Sequence, residues 1–149
     1  MKRTGIRIIC VIFILAMCIS STALAAETKA SDYIKSYSAA TTTTGSSNVR
    51  IGFSITGKSI MDKIGVTTIY LYEKPQGSNS WTIVKVFTNA DFPSLVAENT
   101  SSHSGNVSYS GTSGCQYYAV VYFRAEKGSG SDSRAYTTSV ATAQFAKSR

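Results

Sequence analysis

Side chains that could perform acid–base or nucleophilic chemistry are scarce in this sequence of 149 residues. His103 is the only histidine, and it lies in a polar segment, residues 99–105. Serine is abundant, but no serine lies in a Gly-x-Ser-x-Gly nucleophile elbow, and residues 128–131 lack that spacing. We therefore interpret His103 as a loop residue that hydrogen-bonds to the backbone. A small exported hydrolase that uses His103 is the alternative function.

Metal and paired-carboxylate chemistry are not indicated either. A single histidine excludes a His-rich metal site. The eight acidic residues are spread over turns and strand ends, so no opposed pair for glycoside hydrolysis stands out. Asp132 follows a Gly-Ser turn but lacks the alternating acidic ligands of a calcium loop. The sequence predicts no catalytic residues, no metal site and no cofactor, and hence a protein that is not an enzyme.

The first 26 residues have the pattern of an export signal. A basic start is followed by an apolar run at residues 8–17 and by Ala-Leu-Ala at residues 23–25. The run is too short to span a bilayer as a stable helix, and no second one follows. We predict a signal peptide at residues 1–26 and a secreted, extracellular domain at residues 27–149.

The positions of the cysteines bear on lipidation and on disulfide formation. Cys18 follows Leu-Ala-Met, which resembles a lipobox, so whether Cys18 is lipidated stays open. Removal of the signal leaves Cys115 alone, which excludes an internal disulfide and indicates that Cys115 is a small buried apolar residue.

The net charge beyond residue 26 is +4, from twelve Lys and Arg against eight Asp and Glu. The basic residues are scattered, so we predict anionic envelope polymers rather than nucleic acid as neighbours.

Short apolar runs separated by Gly, Ser and Asn predict an all-β domain. Residues 59–65 and 91–99 carry apolar residues at helical spacing, and we expect one short helical turn in each connection. Seven short strands in about 110 residues suit a two-sheet sandwich of immunoglobulin-like topology. The predicted strands are residues 33–42, 49–56, 66–73, 81–88, 106–110, 116–125 and 134–141.

The last two predicted strands carry a family resemblance. Residues 117–125, Tyr-Tyr-Ala-Val-Val-Tyr-Phe-Arg-Ala, are followed by Gly-Ser-Gly-Ser at residues 128–131. This stretch resembles the penultimate strand and final hairpin of fibronectin type III domains. The resemblance covers about 25 residues and implies a fibronectin type III-like β-sandwich.

The chain also looks like a group of small exported proteins from clostridia-type Gram-positive bacteria that share a domain of unknown function. The stretches that carry this resemblance are residues 33–37, 61–65, 102–105 and 117–121. It implies export and a β-sandwich, and it brings no catalytic residues with it.

Strand alternation predicts one candidate binding surface. If residues 117, 119, 121 and 123 point inward, their neighbours point outward, and the same holds for residues 66–73. The predicted outer face carries Tyr70, Tyr72, Tyr118 and Tyr122, with Arg124 at its margin.

Rings with polar tips suit a sugar or a protein surface, so the predicted partner is a cell-wall glycan or a protein. Two other interpretations stay open. The tyrosines stabilise the sheet without any ligand, or the chain is a structural subunit that assembles by strand exchange. The oligomeric state does not follow from the sequence.

Overall fold

We describe the protein from a computed structural model that places residues 31–44 and 47–144. The predicted export signal and Cys18 lie outside the described residues. The described chain is almost entirely β-strand, which confirms the predicted all-β class. The strands are β1 (Ile34–Thr44), β2 (Asn48–Lys74), β3 (Thr82–Thr88), β4 (Val96–Ser110), β5 (Gln116–Lys127), β6 (Gly130–Thr137) and β7 (Ala141–Thr142), with one 3-10 turn at Pro93–Leu95.

All seven strands belong to one antiparallel sheet built around β2. The first half of β2 pairs with β1 and with most of β4, and its second half pairs with β3 and β5. Beyond β5 lie β6 and the short β7. The sheet is open and curled, because a 27-residue strand that pairs with different neighbours along its length must bend.

The prediction of a helical turn at residues 59–65 is wrong. This segment belongs to β2, which joins the predicted second and third strands into one. Pairing of β2 with β4 moves from Thr56 opposite Ser102 to Met61 opposite Thr100, so β2 holds three extra residues there. This irregularity buries Met61 and then Ile64, three residues apart, and so imitates the spacing of a helix. In the second predicted turn, only Pro93–Leu95 is helical.

The expected polar loop around His103 is also a strand. Residues 99–105 lie in the middle of β4, which pairs with β2 along nearly its whole length. Only Val107 of β4 is buried. This strand is held by backbone pairing rather than by burial of its side chains. Its sequence therefore does not show the alternation of apolar residues by which a strand is recognised.

The curl of the sheet encloses a single hydrophobic core. On β5 the side chains of Tyr117, Ala119, Val121 and Phe123 have no exposed surface, which confirms the predicted inward set. Cys115 is buried just before this strand. The first half of β2 contributes Val49, Ile51, Phe53 and Ile55, and the second half Ile69 and Leu71. Because β5 alternates strictly, its odd-numbered positions fill the core and its even-numbered positions form the outer surface.

One side of the curl is closed by side chains that link β1 to the C-terminal strands. The rings of Tyr37 and Phe123 lie 5.3 Å apart. The buried hydroxyls of Thr41 and Thr138 are hydrogen-bonded at 2.7 Å. Asp132 on β6 accepts a hydrogen bond from the backbone N–H of Tyr33 at 2.7 Å. Among the described residues there is no helix of the length and apolarity that a membrane crossing requires.

Candidate binding face

The five residues singled out in the sequence lie together on the outer surface of the sheet. Pairing of β2 with β5 sets Tyr72 opposite Tyr118 and places Tyr122 two pairs beyond the row of Tyr70. Arg124 follows at the margin, and its guanidinium is ion-paired with Glu126. We name these residues, Tyr70, Tyr72, Tyr118, Tyr122 and Arg124, the tyrosine face.

The four rings of the tyrosine face contact one another in two pairs. Tyr72 and Tyr118 are stacked, with centroids 4.7 Å apart and planes 3° from parallel. Tyr70 and Tyr122 meet edge to face at 5.8 Å and 78°. Both arrangements are favourable for aromatic side chains. Tyr122 remains the most open ring, with 41% of its surface exposed.

Three further residues extend this surface, and the sequence analysis did not assign them to it. Trp81 packs its ring edge-on against Tyr118 at a centroid distance of 4.7 Å. Ile83 lies opposite Tyr72 and is 50% exposed, and Val86 lies opposite Tyr70 and is 37% exposed. The hairpin turn between the third and fourth predicted strands was the signal that could have found them, since it makes these strands neighbours.

A bulge explains why their positions could not be read from the sequence. Pairing between β2 and β3 slips between Leu71 and Tyr72, so Ile83 and Val86 share a face although they are three residues apart. Simple alternation would place them on opposite faces.

The tyrosine face carries hydrogen-bond donors and a charged rim. Burial raises the pKa of the Tyr118 hydroxyl, and the neighbouring Tyr72 adds to that rise. The raised pKa keeps Tyr118 a neutral phenol, whose O–H can donate a hydrogen bond. Lys74 lies at the opposite end from Arg124, with its Nζ 5.3 Å from the centroid of the Trp81 ring. The surface thus combines rings and aliphatic groups in the middle with polar groups at the edge.

Tyr117, beside Tyr118 in sequence, belongs to the core. Its hydroxyl accepts a hydrogen bond from the Thr112 N–H at 2.7 Å and donates one to the carboxylate of Glu73. Burial raises the pKa of this phenol far above its usual range, and the bond to Glu73 raises it further. Tyr117 thereby ties the start of β5 to the end of β2.

His103 lies on β4 and is not part of the tyrosine face. Its Nε2 is hydrogen-bonded to the backbone carbonyl of Ser94 at 2.8 Å, and its ring lies 5.6 Å from that of Phe53. In the described part of the chain, no hydrogen bond joins its ring to a serine hydroxyl or a carboxylate, and no three His, Cys, Asp or Glu residues are grouped to hold a metal ion. Its contacts fix the connection between β3 and β4.

Comparisons with known proteins leave the family undetermined. No protein-family model matches the chain, and no curated protein matches it in sequence. Among solved structures, the chain is similar to the crystal structure of Spo0M, the sporulation control protein from Bacillus subtilis, with 9% identity and a TM-score of 0.41. The match covers 72% of this chain and 49% of Spo0M, so the chain spans about half the length of that neighbour. Similarity at this level supports no argument about function.

Proposed function

We propose that the protein is a secreted, non-catalytic binding module that acts at or beyond the bacterial cell surface and docks a protein partner on its tyrosine face. The observation that carries the proposal is the continuous row of outward rings flanked by exposed aliphatic side chains. Ile83, Val86 and Tyr122 leave 37–50% of their surfaces in water on the same face. An exposed apolar patch with a polar rim is typical of a protein–protein interaction site.

The ring geometry favours a protein over a glycan. Side chains stand roughly perpendicular to a sheet, so parallel rings stacked at 4.7 Å direct their edges and hydroxyls outward. The ring face of Tyr118 that could receive a sugar is covered by Tyr72, and Trp81 packs against the same ring. A sugar stacks on an open ring face, whereas a protein surface packs against edges, methyl groups and hydroxyls.

Sheet stabilisation accounts for only part of this surface. Each cross-strand aromatic pair stabilises a sheet by roughly 0.2–1 kcal/mol, which explains Tyr72 and Tyr118 without a ligand. It does not explain Ile83, which is half exposed beside them. Burial of Ile83 and Val86 against a partner would add favourable hydrophobic free energy that the free protein lacks.

We also infer that the curled sheet is a fibronectin type III-like, immunoglobulin-like sandwich in which β2 serves as two successive strands. Two observations support this: the two halves of β2 pair with different neighbours, β1 and β4 in the first half and β3 and β5 in the second, and both halves contribute to one core. The resemblance to exported proteins of clostridia-type bacteria supports the proposed location.

In the test, protein variants are immobilised and the amount of a bacterial cell-envelope fraction that each one retains is measured. We expect the double variant Tyr70→Ser/Tyr122→Ser to retain at least tenfold less of this fraction than the wild type. Tyr136→Ser is the matched control, because Tyr136 is 37% exposed but contacts Tyr37 on the other side of the sheet. Protease treatment of the envelope should abolish the signal.

Two results would overturn the proposal. Equal retention of the double variant and the wild type removes the tyrosine face as a docking site. Undiminished binding to protein-free peptidoglycan, lost in the double variant, reassigns the face to a glycan. Circular dichroism of each variant establishes that the fold is intact.

A further inference from the structure

The side of the curled sheet opposite β1 is open. Since β1 and β4 flank the same stretch of β2, and β3 and β5 flank the next, β4 and β3 follow each other along one edge of β2. Within the described residues, each of them pairs with β2 alone. Their far edges therefore present backbone N–H and C=O groups without strand partners.

A groove of about 560 Å³ lies between these two strands. Its size falls within the range of ligand-binding clefts. Its walls are Lys85 and Phe87 of β3, Phe92 and Ser94 of the connection, and residues 106–110 of β4. All five consecutive residues of that part of β4 line the groove, so it follows the strand edge itself.

The chemistry of the groove is mixed. Phe87 and Phe92 meet at a centroid distance of 5.3 Å, and both pack against the core. The β4 wall adds the ring of Tyr109 together with hydroxyl and amide side chains at residues 106, 108 and 110. Apolar floor, polar wall and a free strand edge are the elements that recognise an extended peptide.

The groove also carries one positive charge that nothing in its lining neutralises. Lys85 places its Nζ 5.8 Å from the centroid of the Phe87 ring, above the apolar floor. No acidic residue lines the groove, and in the described part of the chain Lys85 has no salt bridge. A ligand with a carboxylate at this point would be complementary in charge.

We propose that this groove binds an extended acidic peptide segment of another protein, which adds as a strand to the edge of β4 at residues 106–110. Its alternate side chains lie on the floor at the half-buried ring of Phe92, and a carboxylate lies beside Lys85. Such a strand would close the open side of the curl, as hydrogen bonds from β1 close the other side. The site is separate from the tyrosine face and does not depend on it.

The experiment uses an array of blocked heptapeptides in which Val, Ile, Leu or Phe alternates with Thr from the second position onward, and the central residue, which lies on the apolar side, is Asp. One matched set carries Lys at the centre, and another carries N-methylated backbone amides. We expect the Asp set to bind at least tenfold more tightly than the Lys set. N-methylation should abolish binding, because the added strand needs its N–H groups.

Protein variants complete the design. Lys85→Glu should reverse the preference between the Asp and Lys sets. Lys35→Glu is the control, since Lys35 is an exposed lysine on β1, away from the groove. The double variant Tyr70→Ser/Tyr122→Ser should bind the peptides like wild type, so failure of the tyrosine face and failure of the groove are distinguishable.

Absence of binding throughout the array, or binding that Lys85→Glu and N-methylation leave unchanged, would overturn the proposal. Sedimentation gives a further check. A dimer whose formation protects the amides of residues 106–110 from hydrogen exchange would show that a second copy of this chain fills the groove, which excludes the acidic segment of another protein.

Discussion

The hydroxyl of Tyr117 offers the sharpest test of how the two ends of the sheet are joined. Tyr117→Phe removes one oxygen and leaves the buried ring in place, so no large cavity forms. The change deletes the hydrogen bond from the Thr112 N–H and the bond to the Glu73 carboxylate. A neutral hydrogen bond contributes about 1 kcal/mol net, and one to a charged group about 1.5–3 kcal/mol.

We expect a loss of about 2 kcal/mol in the free energy of unfolding. This lies below the sum of the two contributions because Thr112 is exposed and Glu73 is half-buried, so water replaces part of each lost bond. The measurement is urea denaturation followed by tryptophan fluorescence, with an unchanged dependence on urea concentration. Tyr118→Phe is the control, since it removes a hydroxyl from the outer face, and it should change stability by less than about 0.5 kcal/mol.

The same hydroxyl makes a prediction about pH. The pKa of Tyr117 is raised in the folded protein, so its contribution to stability is fully present below the unfolded pKa of about 10 and is lost as the pH rises above that value. Wild-type stability should therefore fall more steeply above pH 10 than that of Tyr117→Phe. If Tyr117→Phe is as stable as wild type at neutral pH and equally sensitive to alkali, the hydroxyl does not join β5 to β2, and the reasoning is refuted.

Three further experiments probe the bend, the closed side and the outer face. Gly65→Ala would place a Cβ 2.2 Å from a backbone carbonyl oxygen and should cost about 2–3 kcal/mol in urea denaturation, whereas Gly52→Ala, with no atom within 4 Å, should be far milder. Hydrogen bonds hold the pKa of Asp132 below its ordinary value, so its contribution is present above the unfolded pKa and lost as the pH falls through the folded one. Asp132→Asn should then lower stability at neutral pH and flatten its decline in acid, and a decline as steep as that of wild type would contradict this. A double-mutant cycle on Tyr72 and Tyr118, each changed to Ala, should give a coupling of about 0.5–1.5 kcal/mol, and additivity would show that the stack contributes nothing.

The candidate face was predictable from the sequence wherever strict alternation held. On β5 every second side chain is buried, so the outward direction of Tyr118, Tyr122 and Arg124 follows from chain order alone. Ile83 and Val86 were missed because the bulge opposite Leu71 breaks the two-residue period. Trp81 was missed because it precedes its strand, and only the turn brings its ring to Tyr118.

The all-β class and the inward set of β5 follow from the order of residues, because both depend on residue type and on a period of two along one strand. That Asn48–Lys74 is one strand, and that β3 and β4 leave a groove along one edge, is visible only in the folded chain. Those features depend on the register between strands distant in sequence. Register is set by pairing and bulges rather than by the local order of residues.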